Sequence, residues 1–299
     1  MKKQKQQEQK ELLSLTNDYV FRRIFGKENV SSLADFLAAV LDIPQEELTR
    51  LTVDDPNMHR KHKGGKRNEL DVRVHTKDGK IIDVEIQVCP EDAFKERIAY
   101  LNSRIFSEQL KRGGKYEELN RTISVIITEF ELFKDNEDCH NRFLWYNPTN
   151  GVSLTDVQEI NTLELEKMPE SNDGTKLWLW LRFLMSKEEE EMEALAADNE
   201  AMKDVIVTLR EMSANEAERR LADAREKERR DRFAAKRYGE KEGEARGIKI
   251  GEARGIEIGK KEGEAKTRLE IARNLKAVGV DKASIVKASG LTAKEVDAL

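Results

Sequence analysis

Residues Lys66 to Val88 read KRNELDVRVHTKDGKIIDVEIQV, and the alternation in this stretch decides the fold. From Leu70 to His75, and again from Ile81 to Val88, apolar and polar residues alternate with period two, the pattern of half-buried strands. Leu70, Val72, Val74, Ile82, Val84, Ile86 and Val88 take one face, so the odd-numbered residues share the other. A two-residue turn at Asp78-Gly79 would pair Lys77 with Lys80, set Asp71 against Ile86 and scramble the apolar face. A three-residue loop, Lys77-Asp78-Gly79, with Gly79 in the left-handed position of a bulge, pairs Thr76 with Lys80 and keeps that face intact. This register sets Asp71 opposite Glu85, Glu69 opposite Gln87 and Arg73 opposite Asp83. Directly opposed residues have Cβ atoms about 5 Å apart, and like charges there repel. A divalent cation would compensate, because hard ions such as magnesium take carboxylate oxygens and keep waters for a phosphate substrate. An ordinary solvated face, relieved by the Arg73 and Asp83 pair, would also serve.

Composition bounds the rest. Charged residues make up 37% of the 299, against about a quarter in ordinary domains, so part of the chain is expected to be solvent-bathed helix. Cys89 and Cys139 form no disulfide framework and read as small hydrophobes in a reducing compartment. No apolar run reaches the roughly 18 residues of a membrane span, and the lysine-rich N-terminus is not followed by the apolar stretch of a signal peptide. The expected location is cytoplasmic, with no membrane partner. A net charge of −5 argues against wholesale nucleic-acid coating while leaving room for a local basic patch.

Residues 1–13 are polar and expected to be disordered. Thr16 or Asn17 offers an N-cap to a helix ending near Gly26, with Phe21, Ile24 and Phe25 inward and Asp18 in the first turn, where an acid suits the helix dipole. A second helix spans about 30–41 and stops before Pro44. Met58 to Arg67 is a basic, glycine-containing loop running into the acidic hairpin, and Arg60, Lys61, Lys63, Lys66 and Arg67 are candidates to hold a phosphate backbone. His59 and His62 lack companion ligands at zinc-site spacing and read as surface residues. A helix is expected over 92–112, a buried strand over Thr122 to Phe130, further strands at 143–146 and 154–165, and a helix at 177–185. This order indicates an α/β or α+β sheet domain over 14–185.

The segments NDYVFRRIFG, KRNELDVRVHTKDGKIIDVEIQ, ERIAYLNSRIFSEQLKRGGKYEEL and ISVIIT, in that order, resemble the recombination-promoting nuclease family, also called PD-(D/E)XK nuclease family transposases. The likeness continues into REMSANEAERRLADAREKERRD and the glycine repeat. It implies an α/β fold, a mixed sheet flanked by helices as in restriction endonucleases, with an extended α-helical C-terminal region. It also implies metal-dependent hydrolysis of DNA phosphodiesters, with Mg2+, or else Mn2+ or Ca2+, as the ion. Carried over by position, Asp71 and Glu85 are the metal-binding acids, Asp18 is the helix acid completing the site, and Gln87 stands where the broader superfamily usually has lysine. A neutral amide can orient water but supplies no charge to the transition state. Lys66, Arg73 and Arg97 are the nearest substitutes, and Arg73 and Arg97 join the candidate DNA contacts. The rival reading is a non-catalytic DNA-binding or assembly protein that retains the fold.

Beyond Ser186 the chain changes character. Leu195, Met202, Val205, Ile206, Leu209 and Met212 give a narrow apolar stripe within a charged helical region, 186–238, read as an arm on the nuclease domain or a dimerising coil. Gly239, Gly243, Gly247, Gly251, Gly255, Gly259 and Gly263 then recur every four residues. This 239–266 segment reads as a weakly helical or flexible spacer, or as a surface for close helix packing in a homo-oligomer. Residues 267–299 hold three short helical patterns, with Asp281 as a cap and Thr292 with Glu295 as a capping box.

Overall fold

The computed structural model describes residues 11–48, 50–54 and 72–299, with Lys27 described by its backbone alone. Helix α1, Asp18–Arg23, begins where the Asn17 side chain accepts the N–H groups of Tyr19 and Val20, a cap worth about 1 kcal/mol. The helix does not simply stop at glycine. It widens into a π turn, Ile24–Glu28, inside which Gly26 leaves helical geometry, and Phe21, Ile24 and Phe25 are all fully buried. Helix α2, Val30–Leu41, ends at Asp42 in the left-handed conformation, two residues before Pro44.

The hairpin has the register that its apolar face demands. Strand β2, Val72–His75, runs antiparallel to β3, Ile81–Gln87, with Val72 opposite Val84, Arg73 opposite Asp83 and Val74 opposite Ile82. Thr76 N–H donates to the Lys80 carbonyl at 3.0 Å, and Gly79 N–H to the Thr76 carbonyl at 3.1 Å. Gly79 sits at φ 88°, the left-handed position that a bulged loop requires. Asp71 falls outside the described residues, as do Arg60, Lys61, Lys63, Lys66 and Arg67 of the basic loop.

Among the described residues six strands form one mixed sheet in the order β1-β2-β3-β4-β6-β5. The short β1, Thr52–Val53, flanks β2. On the other side β3 pairs in parallel with β4, Thr122–Thr128, and β4 in parallel with β6, Ser153–Glu164. The edge strand β5, His140–Tyr146, pairs antiparallel with β6. Every residue of β4 is buried, as a central strand covered on both faces must be. The connection from β3 to β4 is helix α3, Phe94–Glu108, whose Phe94 and Ile98 pack on Ile126 of β4.

That helix changes the character of the hairpin's polar face. An isolated hairpin would leave Asp83 and Glu85 in water, but here they are 1% and 3% exposed. The solvated-face reading is therefore corrected. Parallel pairing puts β3 in the sheet interior, and α3 lies over the same face. The opposite face carries the main core, where Val72, Val74, Ile82, Val84 and Ile86 meet α1, α2 and helix α4, Lys176–Met185. Trp180 is fully buried there, edge-on to Phe25, Phe36 and Phe183.

The core takes in more chain than residues 14–185. Helices α5, Glu189–Leu195, and α6, Glu200–Ala214, insert Met192, Met202, Val205, Ile206, Leu209 and Met212 into it. The first compact unit accordingly runs through Asp231. Helix α7, Glu216–Ala277, is 62 residues long and contains the whole glycine repeat, so the repeat is helical. Each glycine costs a helix about 1 kcal/mol against alanine, and a Cβ built on any of the seven meets nothing within 4 Å. In the second unit the end of α7 packs with α8, Lys282–Ser289, and α9, Ala293–Asp297, around Ala272, Ile285 and Val296. Asp281 caps α8, and Thr292 and Glu295 form the capping box of α9. No helix among the described residues is long and apolar enough to cross a membrane.

Candidate active site

Strand β3 points Asp83, Glu85 and Gln87 to the face covered by α3, because alternate residues share a face. Glu85 is held through one oxygen only. Its Oε1 accepts from Arg97 Nη2 at 2.7 Å, and Arg97 Nη1 donates to Glu91 Oε2 at 2.7 Å. Arg97 thus lies between two carboxylates, one on the strand and one on the loop after it. Glu85 Oε2 is buried and finds no hydrogen-bond partner among the described residues. Burial holds the Glu85 carboxyl above its ordinary range; Arg97 pulls the other way, and Glu91 adds to the rise.

Two residues back, Asp83 faces Arg73 across the hairpin. Asp83 Oδ1 and Arg73 Nε and Nη2 are also buried without a hydrogen-bond partner among the described residues. Burial pushes the Asp83 carboxyl up to about 7, against the pull of Arg73 and with the help of Glu85. Arg73, expected as a DNA contact, is only 8% exposed and serves here as an internal charge.

Gln87 is tied to the chain just beyond its own strand. Its Nε2 donates to the Cys89 carbonyl at 2.8 Å and to Glu91 Oε1 at 3.2 Å. Its backbone carbonyl accepts the N–H of Glu129, just past the end of β4, at 3.3 Å. Glu85, Gln87, Glu91 and Arg97 therefore form one connected polar network at the C-terminal end of β3. Glu91 carried no periodic or motif signal in the sequence; only the turn after Pro90 brings it back to the strand.

Asp18, in the first turn of α1, has its Oδ2 3.9 Å from Arg22 and 3.9 Å from Arg225 of α7. Among the described residues no hydrogen bond or ion pair joins it directly to Glu85 or Gln87. The link runs through α7. One turn beyond Arg225, Arg229 Nη1 lies 3.2 Å from Glu129 Oε2, and the Cys89 thiol contacts the Arg229 carbonyl at 3.8 Å. Arg225 and Arg229 were legible only as part of a charge-alternating helix, and their meeting with Asp18 and Glu129 spans about two hundred and one hundred residues of chain respectively.

A divalent ion needs several oxygen donors. Among the described residues no group of three or more His, Cys, Asp or Glu side chains gathers to hold one. Glu85 fits such an ion in kind: it is a carboxylate whose second oxygen is buried and has no hydrogen-bond partner among the described residues. Asp71, the partner that the register would bring opposite, lies outside the described residues.

A family model described as PD-(D/E)XK nuclease family transposase matches residues 15–239, well over half of the chain and ending at the first glycine of the repeat. Neither a curated protein nor a solved structure matches.

Proposed function

The chain belongs to the PD-(D/E)XK nuclease family transposases, and on that premise we propose that it is a metal-dependent DNA endonuclease hydrolysing phosphodiester bonds in recombination, mobile-element or defence processes. The observation that carries this reading is Glu85, a buried carboxylate on β3 with one oxygen left without a hydrogen-bond partner among the described residues. Burying such an oxygen without a partner costs stability, so its retention calls for a ligand. Asp71 and Glu85 would hold the ion, Mg2+ or else Mn2+ or Ca2+, with Asp18 completing the acidic set. When bound, the ion supplies a water of lowered pKa and neutralises charge gathering on the phosphate.

The chain's own residues prepare that position. Arg97 pairs with Glu85 and is itself held by Glu91. Gln87, fixed by Cys89 and Glu91, keeps a neutral amide beside the acids. Incoming phosphates would be held by Arg60, Lys61, Lys63, Lys66 and Arg67 of the basic loop. In the C-terminal region every residue from 241 to 270 is exposed, which supports reading this helix as the element through which copies associate; the expected setting is the cytoplasm.

Supercoiled plasmid incubated with the protein, with and without Mg2+ or Mn2+, tests the reading beside Asp71→Ala and Glu85→Gln. Metal-dependent nicking abolished by both substitutions is expected. Nicking that needs no metal, or that survives both substitutions, contradicts the mechanism. No cleavage with any metal favours a non-catalytic DNA-binding or assembly protein.

A further inference from the structure

The stretch 143–157, FLWYNPTNGVSLTDV, carries one charged residue, Asp156, in a chain of which 37% is charged. It folds as a closed ribbon from the end of β5 and the start of β6. Asn147 N–H donates to the Val152 carbonyl and Gly151 N–H to the Asn147 carbonyl, both at 2.8 Å, with Gly151 at φ 73° in the left-handed position. Strand β6 pairs with β4 only from Gln158 onward. Residues 153–157 therefore have β5 as their one strand neighbour among the described residues, and they continue past the first residue of β4 by roughly 16 Å. Phe143 rests on Phe133, ring centroids 5.3 Å apart. Beyond it Leu144, Trp145, Tyr146, Val152 and Leu154 stay in solvent, and these six side chains are between 39% and 77% exposed.

Sheet edges are ordinarily kept from pairing with another chain by a very short strand, a free charge or proline in it, a bulge, or a cover. At the far edge of this sheet β1 is two residues long. Among the described residues β5 has none of these protections. It is seven residues long and exposed from Arg142 onward. Its one Lys, Arg, Asp or Glu is Arg142, which is committed to Glu159, and Pro148 lies in the turn beyond it. The irregularities in the β5 and β6 pairing put the surplus residues on β6: Phe143 and Trp145 are two residues apart, while their partners Ile160 and Thr155 are five apart. No described strand pairs with the outer side of β5.

We propose that β5 is a self-pairing edge, along which two copies of this chain join antiparallel about a twofold axis. Such an axis reverses the strand, so the outward N–H groups of one β5 meet carbonyls of the same strand in the partner. The exposed apolar side chains offer on the order of 600 Å2 on each copy, and about 1,200 Å2 for two copies reaches the lower end of a stable interface. A second copy suits the ribbon better than a phosphate-bearing partner does. With no Lys or Arg in 143–157 it has no cation for a nucleic-acid backbone or an anionic headgroup, and two ribbons so nearly neutral do not repel each other. The joint lies away from Glu85: β3 and β4 run parallel, so the ribbon leaves the sheet where those strands begin, and Gln87 stands where β3 ends. It uses neither α7 nor the acidic residues, and so does not depend on the nuclease reading.

The test uses the full-length chain. Sedimentation equilibrium compares wild type with Trp145→Lys/Tyr146→Lys, two exposed positions at which lysine blocks edge pairing. The weight-average mass should fall about twofold, whether or not α7 also joins copies, because one twofold contact is lost. Equal masses overturn the proposal. Hydrogen exchange on concentrated wild type needs no substitution: every amide of 142–146, outward ones included, should exchange at least about tenfold more slowly than in a free peptide. Free-peptide rates at the outward amides overturn the proposal. So does a monomeric wild type that sediments with phosphatidylglycerol vesicles or with a DNA duplex and loses that binding in the double variant, since the ribbon then serves the vesicle or the duplex.

Discussion

Two buried carboxylates of one sheet make opposite bargains with their surroundings. Glu159 of β6 is 2% exposed and Glu85 of β3 is 3% exposed, yet register places them on opposite faces. Glu159 accepts from Arg142 at 2.8 and 3.1 Å, from Asn161 at 2.9 Å, and from Arg121. Burial alone would raise its carboxyl, but Arg142, Asn161 and Arg121 together hold it below the ordinary range. Glu85 has a single cation on one oxygen and nothing on the other among the described residues, and its carboxyl is held up. A saturated carboxylate stabilises the fold. An unsaturated one is kept at a cost in stability and marks where a ligand is expected.

The contrast breaks most sharply by substitution. Glu85→Gln is expected to reduce metal-dependent cleavage at least 100-fold while leaving the melting temperature unchanged or higher, because a held-up carboxyl is removed. Glu159→Gln is expected to do the reverse, costing about 2 kcal/mol in denaturant unfolding with specific activity unchanged. Loss of activity in the second variant at full folding would erase the distinction.

Acid sharpens the same comparison. The folded pKa of Glu159 lies below the ordinary glutamate value of 4.5. Its contribution is therefore fully present above pH 4.5 and is lost as pH falls through the lower folded pKa. Wild type should lose stability over that window, and Glu159→Gln should show a flatter acid limb in melting experiments. A smaller effect is expected from Glu91→Gln, which loosens Arg97 and Gln87 without touching Glu85: a several-fold change in cleavage rate and under about 1 kcal/mol in stability.

Legibility in the sequence tracks the range of the interactions involved. The Gly79 bulge, the Asn17 cap and the Thr292 and Glu295 capping box are each decided within a few residues, and each forms as its spacing predicts. The register of the hairpin was legible because only one pairing keeps Val72, Val74, Ile82 and Val84 together. The burial of Asp83 and Glu85 was not, since it depends on α3 and β4 covering a face whose own pattern reads as polar. Likewise α6 looks like an arm in sequence, yet its narrow stripe suffices to enter the core. The glycine repeat misleads in the other direction. Propensity argues against a helix there, and α7 is continuous through it. Glu91 reaches Gln87 and Arg97, and Arg225 and Arg229 reach Asp18 and Glu129, only through the fold.

The central claim is that the unmatched oxygen of Glu85 belongs to a metal ligand. Binding of Mn2+ to the full-length protein, followed by electron paramagnetic resonance, tests it without relying on activity. The account predicts saturable Mn2+ binding by wild type and by Glu159→Gln, and its loss in Glu85→Gln. Equal binding by all three proteins would contradict it.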